Sequence, residues 1–400
     1  MKKIALIFPG QGSQHIGMGK NLYDKYDCAK KVYDSAEEIL NYDFKNVIFN
    51  GNEEELRKTE NAQVAIYVTS MAAYKVFKEC CQVDPIVSVG HSLGEISALA
   101  VAGVFTFEQG LELVRNRALY MKSASEEKKG SMFAIRNMHY TTVESACREN
   151  IEDKSVFISN YNTDSQVVIS GEIDKVTFLS EKLKEMGAIV TELKVSGAFH
   201  SPLMESARIK MEETLEGMQV NKFNIPVISN VTGEIYNIDS VKKNLAQHIV
   251  RPVQWNKTVQ LLDSMGINAS VELGSGKVLS NLISSTSSNI ETYLFGKNSD
   301  IEHTVNELNI KYKTKRPNII EKCISVAVCT KNYNENEDEY IEGVVKSFEE
   351  LKNMSEQVDD INITLKEIEY SKKLITKILD TKGVPAEEKK YRLDEINRWS

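Results

Sequence analysis

The sequence lacks the features that mark several large classes of protein. Its six cysteines include no Cys-x-x-Cys pair, and scattered thiols in a chain of 400 residues argue against a disulfide framework. No apolar run is long enough for a signal-peptide core or a membrane span, so we expect a cytoplasmic protein without membrane association. The net charge of −8 argues against sequence-independent binding of nucleic acid, because that binding needs a basic surface.

What is present is a globular composition with the pattern of an α/β fold. Apolar residues make up 42% and charged residues 26% of the chain, close to the averages for soluble domains. Residues 4–8 and 86–89 are short apolar runs that end in glycine turns, as buried strands do. Residues 61–80 carry apolar side chains at helical spacing, and residues 95–102 predict a helix directly after the second strand.

The pattern changes between residues 129 and 197. There the periodicity predicts strand, helix, strand, strand, helix and strand, which is the order of a ferredoxin-like unit. We predict that this small domain is inserted into a larger α/β domain formed by residues 1–128 and 198–310. Residues 225–229 and 269–273 predict further buried strands of the larger domain.

Residues 318–400 predict a mostly helical C-terminal extension. Within it, residues 323–330 are an apolar run that predicts a strand. From Leu351 to Leu379, apolar residues recur at alternating steps of three and four, which is a heptad pattern interrupted once by Lys372. Residues 332–400 could therefore dock on a second copy of the chain or on a synthase. The alternative is that the seam packs back on its own domain or forms a helical hairpin.

Ser92 lies in the segment GHSLG, residues 90–94, between a predicted strand and a predicted helix. A serine hydroxyl is a weak nucleophile unless the backbone holds it in a sharp turn within reach of a base. Glycines on both sides of Ser92 allow that turn and let the following helix approach closely. The segment predicts a nucleophilic serine, although short Gly/Ser strings also occur in ordinary turns.

Among the six histidines, His200 is the best candidate for the base. It follows a predicted strand, in a loop that can place the imidazole over a pocket. His91 is adjacent to Ser92 and cannot easily reach its hydroxyl, so we expect His91 to line the pocket. The sequence offers no clear acidic partner for a triad. A dyad is possible if a backbone carbonyl holds the imidazole in the correct tautomer.

The glycine turn after the first strand supplies candidate donors for an oxyanion. The backbone N–H groups of Gln11 and Leu93 could form an oxyanion hole, often the largest electrostatic contribution to acyl transfer. On its own, the turn at residues 10–12 favours a plain connection between a strand and a loop.

Four features together resemble the malonyl-CoA:acyl carrier protein transacylases and the acyltransferase domains of polyketide synthases. They are residues 10–14 (GQGSQ), residues 90–95 (GHSLGE), Arg117 and residues 197–201 (GAFHS). The resemblance covers about residues 1–300, in the family's order and spacing. It implies an α/β-hydrolase-like large domain with an inserted ferredoxin-like domain. It also implies malonyl-CoA and an acyl carrier protein as substrates, with no cofactor and no metal.

The resemblance implies roles for individual residues as well. Arg117 would hold the free carboxylate of the malonyl group with its guanidinium fork. Phe199 looks like the bulky residue of malonyl-selective members. Asn160 and Asn162 match a loop beside the active site and are candidates for substrate binding.

The orienting carbonyl for the catalytic histidine is implied at His248. The family usually has Gln or Asn at this position, so the histidine is a departure, and Gln247 beside it is the second candidate.

The sequence therefore predicts a ping-pong malonyltransferase in which Ser92 is acylated and His200 shuttles the proton. The extension beyond residue 317 favours an enzyme that acts in trans on a polyketide synthase, with fatty-acid synthesis as the alternative context. A proofreading acyl hydrolase of the same fold is a further alternative, and the presence of Arg117 argues against it.

Overall fold

The computed structural model describes residues 3–150, 155–312, 319–357 and 365–397. The chain divides into two compact units, Met1–Lys313 and Thr314–Ser400. The described part of the first unit contains two sheets with helices, and that of the second unit is helical. The mixed α/β fold expected from the sequence is confirmed.

The described residues of the first unit form eight strands and fourteen α-helices. The strands are β1 (Ile4–Phe8), β2 (Val87–Gly90), β3 (Gly130–Arg136), β4 (Val156–Thr163), β5 (Gln166–Glu172), β6 (Ile189–Glu192), β7 (Ala269–Leu273) and β8 (Glu291–Phe295). The helices are α1 (Lys20–Lys25), α2 (Asp27–Leu40), α3 (Phe44–Phe49), α4 (Glu53–Arg57), α5 (Thr59–Cys80), α6 (Gly94–Val101), α7 (Phe107–Glu127), α8 (Tyr140–Asn150), α9 (Ile173–Glu185), α10 (Glu205–Glu216), α11 (Val241–His248), α12 (Trp255–Ser264), α13 (Val278–Thr286) and α14 (Asn298–Lys311). Short 3-10 helices cover Pro202–Met204 and Ile238–Ser240. None of the helices described in either unit is both long and apolar enough to cross a membrane.

A parallel sheet in the order β2-β1-β7-β8 forms the framework of the first unit. Every residue of β1 is buried, and its side chains alternate between two apolar clusters, with Leu6 in one and Ile7 in the other. A strand that is covered on both faces must be apolar throughout, which explains the continuous apolar run at residues 4–8. Phe8 and Gly90 pair at the carboxyl ends of β1 and β2, so the loops that follow these strands begin side by side.

A second, antiparallel sheet has the order β4-β5-β3-β6 and is formed by residues 130–192 alone. Ile135 on one face packs with Leu179 of α9 in a separate apolar cluster. Met132 and Val168 lie on the opposite face and join a cluster that also covers the parallel sheet. Successive side chains of these strands thus point to opposite faces of the antiparallel sheet. One face packs against helices, and the other faces the parallel sheet.

Residues 225–229 do not form the strand that their apolar run predicts. The structure has only isolated bridges there, Ser88 with Val227 and Ile228 with Ile235. Pro226 has no N–H to donate to a ladder, and it contributes only a carbonyl that accepts from the Ser88 N–H at 2.9 Å. The strand predicted at residues 269–273 is confirmed as β7.

The described residues of the second unit form five α-helices. They are α15 (Ile319–Cys329), α16 (Glu337–Tyr340), α17 (Lys346–Gln357), α18 (Leu365–Thr381) and α19 (Ala386–Asn397), with a π-helical turn at Ile341–Val345. The strand predicted at residues 323–330 is wrong, because α15 covers all but the last of them. Ile320, Cys323 and Ala327 are buried at helical spacing in the core of this unit. Packing of that helical face overrides the strand preference of the local composition.

The predicted heptad pattern is distributed over α17 and α18, which pack antiparallel. The Tyr370 hydroxyl of α18 donates to Glu350 Oε2 of α17 at 2.6 Å. Nearer the end of α18, Lys377 Nζ donates to the backbone carbonyl of Glu342 at 3.5 Å. Later residues of one helix therefore meet earlier residues of the other.

The apolar residues of this pattern pack within the second unit. Leu351, Ile375 and Leu379 are fully buried in one cluster, while Val358 and Ile361 lie outside the described residues. This packing agrees with the helical-hairpin alternative, because the unit itself covers these buried residues of the seam.

Candidate active site

Ser92 lies in a sharp turn between the end of β2 and the start of α6. Its φ is +52°, a left-handed conformation that costs an ordinary residue about 1–2 kcal/mol. The flanking glycines permit the turn. A Cβ on Gly90 would lie 1.9 Å from the Gly94 carbonyl carbon, and a Cβ on Gly94 would lie 2.0 Å from the Phe8 oxygen. Only glycine fits at both positions, so the predicted nucleophile elbow has a steric cause.

The His200 imidazole lies beside the Ser92 hydroxyl. Ser92 Oγ is 2.8 Å from His200 Nε2, although the two residues are 108 positions apart in the sequence. His200 also has a left-handed backbone, with φ +57°. In the described part of the chain, the other non-glycine residues with positive φ are two asparagines, which adopt this conformation more readily. The structure thus brings the predicted nucleophile and base into contact, and both carry backbone strain.

The backbone carbonyl of His248 sets the tautomer of His200. His248 ends α11, where helix carbonyls have no partner within the helix. Its oxygen lies 2.7 Å from His200 Nδ1, and because a carbonyl only accepts, Nδ1 carries the proton. Nε2 is then able to accept from Ser92. Of the two orienting candidates, His248 makes this contact, whereas Gln247 lines an open groove nearby.

The surroundings of His200 keep its imidazole neutral. Burial lowers the pKa of this ring well below its ordinary value. The neighbouring His248, Arg117 and His91 lower that pKa further, because each disfavours a second positive charge close by. His200 is therefore unprotonated at neutral pH, which is the state that can take the serine proton.

Arg117 of α7 directs its guanidinium to the same hydroxyl. The residue is 2% exposed, and its Nη2 donates to Ser92 Oγ at 3.2 Å. Burial lowers the pKa of Arg117 to about 10, so the group stays charged at neutral pH. A buried guanidinium beside a nucleophile is suited to bind a carboxylate on the substrate.

A cavity of about 270 Å³ lies over Ser92. Ser92, His200 and Arg117 line it, together with apolar side chains from the open face of the antiparallel sheet and from α13. Phe199 is 5% exposed and forms part of the wall, so its ring limits the size of a bound acyl group.

His91, Asn160 and Asn162 line the same cavity. His91 Nε2 lies 2.9 Å from Asn162 Oδ1, an acceptor, so Nε2 carries the proton. Burial lowers the pKa of His91 to about 4. Asn160 Oδ1 accepts from the Ser159 hydroxyl at 2.9 Å. The strand β4 therefore places both asparagines at the site, and one of them orients His91.

Gln11 and Leu93 are the residues predicted to form the oxyanion hole. Gln11 lies in the turn after β1 and lines the cavity, and Leu93 immediately precedes α6. Within the described residues, neither backbone N–H donates to another backbone group. Among those residues there is also no cluster of three or more histidine, cysteine, aspartate or glutamate side chains that could hold a metal ion.

Two buried amide side chains belong to the site although no motif in the sequence pointed to either. Gln63 of α5 accepts from Arg117 Nη1 at 2.6 Å. Asn230 Oδ1 accepts from the Ser92 N–H at 2.7 Å, and its Nδ2 donates to the Gly90 carbonyl at 2.6 Å. Asn230 thereby ties both ends of the nucleophile turn. The only signal in the sequence was a polar residue within or just after an apolar stretch.

Comparison with known proteins gives a consistent result. The acyl transferase domain family matches residues 5–305, which is more than half of the chain. A malonyl CoA-acyl carrier protein transacylase of Bacillus subtilis is 33% identical over 396 residues, covering 96% of this chain and 98% of the relative. Its similarity therefore extends through the second unit.

A further relative and a solved structure match smaller shares of the chain. The polyketide biosynthesis malonyl CoA-acyl carrier protein transacylase PksC of Bacillus subtilis (strain 168) is 39% identical over 286 residues, 70% of this chain and 96% of PksC. A structure of a type II PKS acyl-carrier protein in complex with its malonyl-transacylase matches with a TM-score of 0.74 at 31% identity, covering 76% of this chain and all of that chain.

Proposed function

This chain belongs to the acyl transferase domain family, and on that basis we propose that it moves a malonyl group from malonyl-CoA to the phosphopantetheine thiol of an acyl carrier protein. The observation that carries the proposal is the 2.8 Å contact of Ser92 Oγ with His200 Nε2, made beside the Arg117 guanidinium. The names of the relatives, both malonyl transacylases, support the choice of acyl group.

In the first half-reaction Ser92 becomes acylated. His200 Nε2 takes the hydroxyl proton while Ser92 Oγ bonds to the thioester carbonyl carbon. The N–H groups of Gln11 and Leu93 donate to the oxyanion of the tetrahedral intermediate. The carbon–sulfur bond then breaks, and coenzyme A leaves as a thiol with the proton returned from His200.

The second half-reaction runs the same steps with the carrier. His200 takes the proton of the phosphopantetheine thiol, and the sulfur attacks the malonyl ester on Ser92. The carbon–oxygen bond breaks, and Ser92 Oγ recovers the proton from His200. One neutral imidazole therefore serves as base and then acid in each half.

Arg117 selects the acyl group in this scheme. Its guanidinium pairs with the free carboxylate of malonate, and Gln63 keeps it directed at the cavity. An acetyl group would leave the buried charge without its anionic partner, so the site disfavours acetyl transfer and acetyl hydrolysis. Phe199 leaves little room for a branched acyl group, which favours malonyl over methylmalonyl.

The architecture that supports this chemistry is an α/β-hydrolase-like domain with an inserted ferredoxin-like domain. The strand–elbow–helix at Ser92 supports the first description, and the strand order β4-β5-β3-β6 supports the second. We place the larger domain at residues 1–128 and 198–310, the insertion at residues 129–197, and the helical extension at residues 318–400.

We further propose that the carrier belongs to a polyketide synthase, which the name of PksC supports. PksC is matched over 96% of its own length and 70% of this chain, a comparison that does not bear on the role of the C-terminal extension. Loading rates for a fatty-acid carrier protein and for polyketide carrier domains decide between the pathways. Faster loading of the fatty-acid carrier would assign the enzyme to that pathway.

Intact-mass measurement after incubation with malonyl-CoA tests the transfer itself. We expect the wild-type chain to gain the mass of one malonyl group and to lose it when a carrier protein with a free phosphopantetheine thiol is added. Ser92→Ala should gain no mass, because no other hydroxyl lies against His200 Nε2 in the described structure. Equal acylation of the two proteins would refute Ser92 as the nucleophile.

A further inference from the structure

Glu95 is a buried carboxylate that the acyl-transfer steps above do not use. It lies in the first turn of α6, three residues after Ser92, and its exposure is 0%. The Tyr236 hydroxyl donates to Glu95 Oε1 at 2.8 Å. A fully buried carboxylate is costly unless it is paired or hydrogen-bonded, so its contacts indicate what it stabilises.

The contacts of Glu95 Oε1 connect it to the nucleophile turn through Asn230. The backbone N–H of Asn230 also donates to Glu95 Oε1, at 2.8 Å. The side chain of that same Asn230 bonds to the Ser92 N–H and to the Gly90 carbonyl. Glu95 therefore anchors the residue that holds the strained turn.

The second contact leads to the base. Glu95 Oε2 lies 2.7 Å from His248 Nδ1. Neither Glu95 Oε2 nor His248 Nε2 has a hydrogen-bond partner in the described part of the molecule, so the approach to His248 Nδ1 is a close charge contact that places the carboxylate of Glu95 beside this ring. The His248 ring lies 4.9 Å from the His200 ring at an angle of 32°. The backbone carbonyl of His248 accepts a hydrogen bond from the protonated Nδ1 of His200.

The charges around this site are unbalanced without Glu95. Arg117 is a buried cation, and His200 becomes a second one when it takes the serine proton. His248 and His91 also face His200, and neither supplies negative charge. Glu95 is the acidic group that favours the charged form of Arg117. Its carboxylate therefore offsets positive charge within the site.

We propose that Glu95 is the missing acid of this active site, a positioning residue that acts on His200 through His248. Its carboxylate fixes the His248 ring, and with it the carbonyl that holds His200, and its negative charge stabilises the imidazolium formed during acyl transfer. No proton moves to Glu95, because the Ser92 proton stays on His200 Nε2 until the leaving group takes it. The inference rests on the proposed acyl transfer.

Glu95→Gln tests the charge, with Tyr236→Phe as the matched control. The amide keeps the size of the side chain and an oxygen for Asn230 and Tyr236, but it removes the negative charge. The control removes one hydrogen bond to Glu95 and leaves all charges in place. Rates of Ser92 malonylation are measured for both variants and for the wild type across the acid range of pH.

For Glu95→Gln we expect the plateau rate of malonylation to fall about tenfold, as loss of an interaction with a charged group predicts, with little change in KM. The acid limb should also shift to lower pH, since an imidazolium without its counter-charge releases its proton more readily. Tyr236→Phe should leave the acid limb in place. A Glu95→Gln profile that coincides with the wild-type profile, or that matches Tyr236→Phe in both respects, overturns the proposal.

A pair of variants at His248 tests the positioning even if Glu95→Gln does not fold. His248→Gln retains a donor for Glu95, and His248→Leu does not. We expect the glutamine to keep the rate within about threefold of wild type and the leucine to lose about tenfold. Equal rates for the two variants overturn the positioning role. Failure of the wild type to load malonate in the same assay would instead reject the proposed function.

Discussion

The catalytic cleft of the first unit and the core of the second unit bury very different side chains. Around Ser92 the buried residues include Glu95, Arg117 and His200. The core of the second unit is mainly aliphatic, and the charged side chain buried in its described part, Lys382, donates to two backbone carbonyls. Burying a charged group costs several kcal/mol unless it is partnered, whereas aliphatic burial is favourable on its own. The buried charged groups around Ser92 therefore lower the stability of the first unit in the region that serves catalysis.

Backbone strain follows the same division. Both Ser92 and His200 hold left-handed φ values, at a cost that only surrounding contacts can offset. In the described residues of the second unit, the sole positive φ belongs to a glycine, Gly383, for which it carries no penalty. Strain and buried charge coincide in the cleft, and this coincidence locates the site without reference to any motif.

A substitution in the nucleophile turn at Ser92 should have the largest effect on stability and on malonyl loading. Gly94→Ala should destabilise the first unit by more than about 4 kcal/mol and abolish malonyl loading, because the new Cβ would lie 2.0 Å from the Phe8 oxygen. Gly217→Ala is the control, since its Cβ would come no closer than 3.9 Å to the Thr214 oxygen. Thermal unfolding and intact mass measure both changes. A Gly94→Ala protein that folds and loads normally would contradict the steric account.

The buried charge gives the next effect. Arg117→Ala should reduce malonyl loading on the order of 100-fold, because the carboxylate of the malonyl group loses its cationic partner. It should raise acetyl loading, because a bound acetyl group no longer leaves a buried guanidinium without an anion. Arg115→Ala, on the exposed side of the same helix, should change neither. Competition between malonyl-CoA and acetyl-CoA, read by intact mass, gives the ratio. An unchanged ratio in Arg117→Ala would remove its assigned role.

The second unit gives the smallest effect on catalysis. Leu351→Ala should lower the free energy of unfolding of that unit by about 2–5 kcal/mol, because it empties a fully buried position. It should leave the rate of Ser92 malonylation unchanged. Lys352→Ala, at the exposed neighbouring position, is the stability control. A parallel fall in malonylation rate would show that the chemistry depends on the packing of the second unit.

Much of the site could be predicted because its residues carry local signals. The GHSLG segment at residues 90–94 predicts the Ser92 turn, and the loop position of His200 favours it as the base. Asn230 carries no such signal, and the segment at residues 90–95 contains Glu95 without indicating its role, because both roles depend on partners more than a hundred positions away. The strand predicted at residues 225–229 failed because Pro226 cannot donate to a ladder. The strand predicted at residues 323–330 failed because a short apolar run does not reveal what covers it.

By itself, the sequence determined which residues could be nucleophile and base. Those functions need particular side chains in tight turns, and neighbouring glycines indicate where such turns occur. The sequence also determined the two faces of β1 through an unbroken apolar run. Only the tertiary structure decided that the carbonyl of His248, and not that of Gln247, contacts His200, and that a buried carboxylate lies beside the His248 ring. Such contacts join distant segments, and the free energy that selects them comes from packing and charge compensation in the folded chain, which no local pattern encodes.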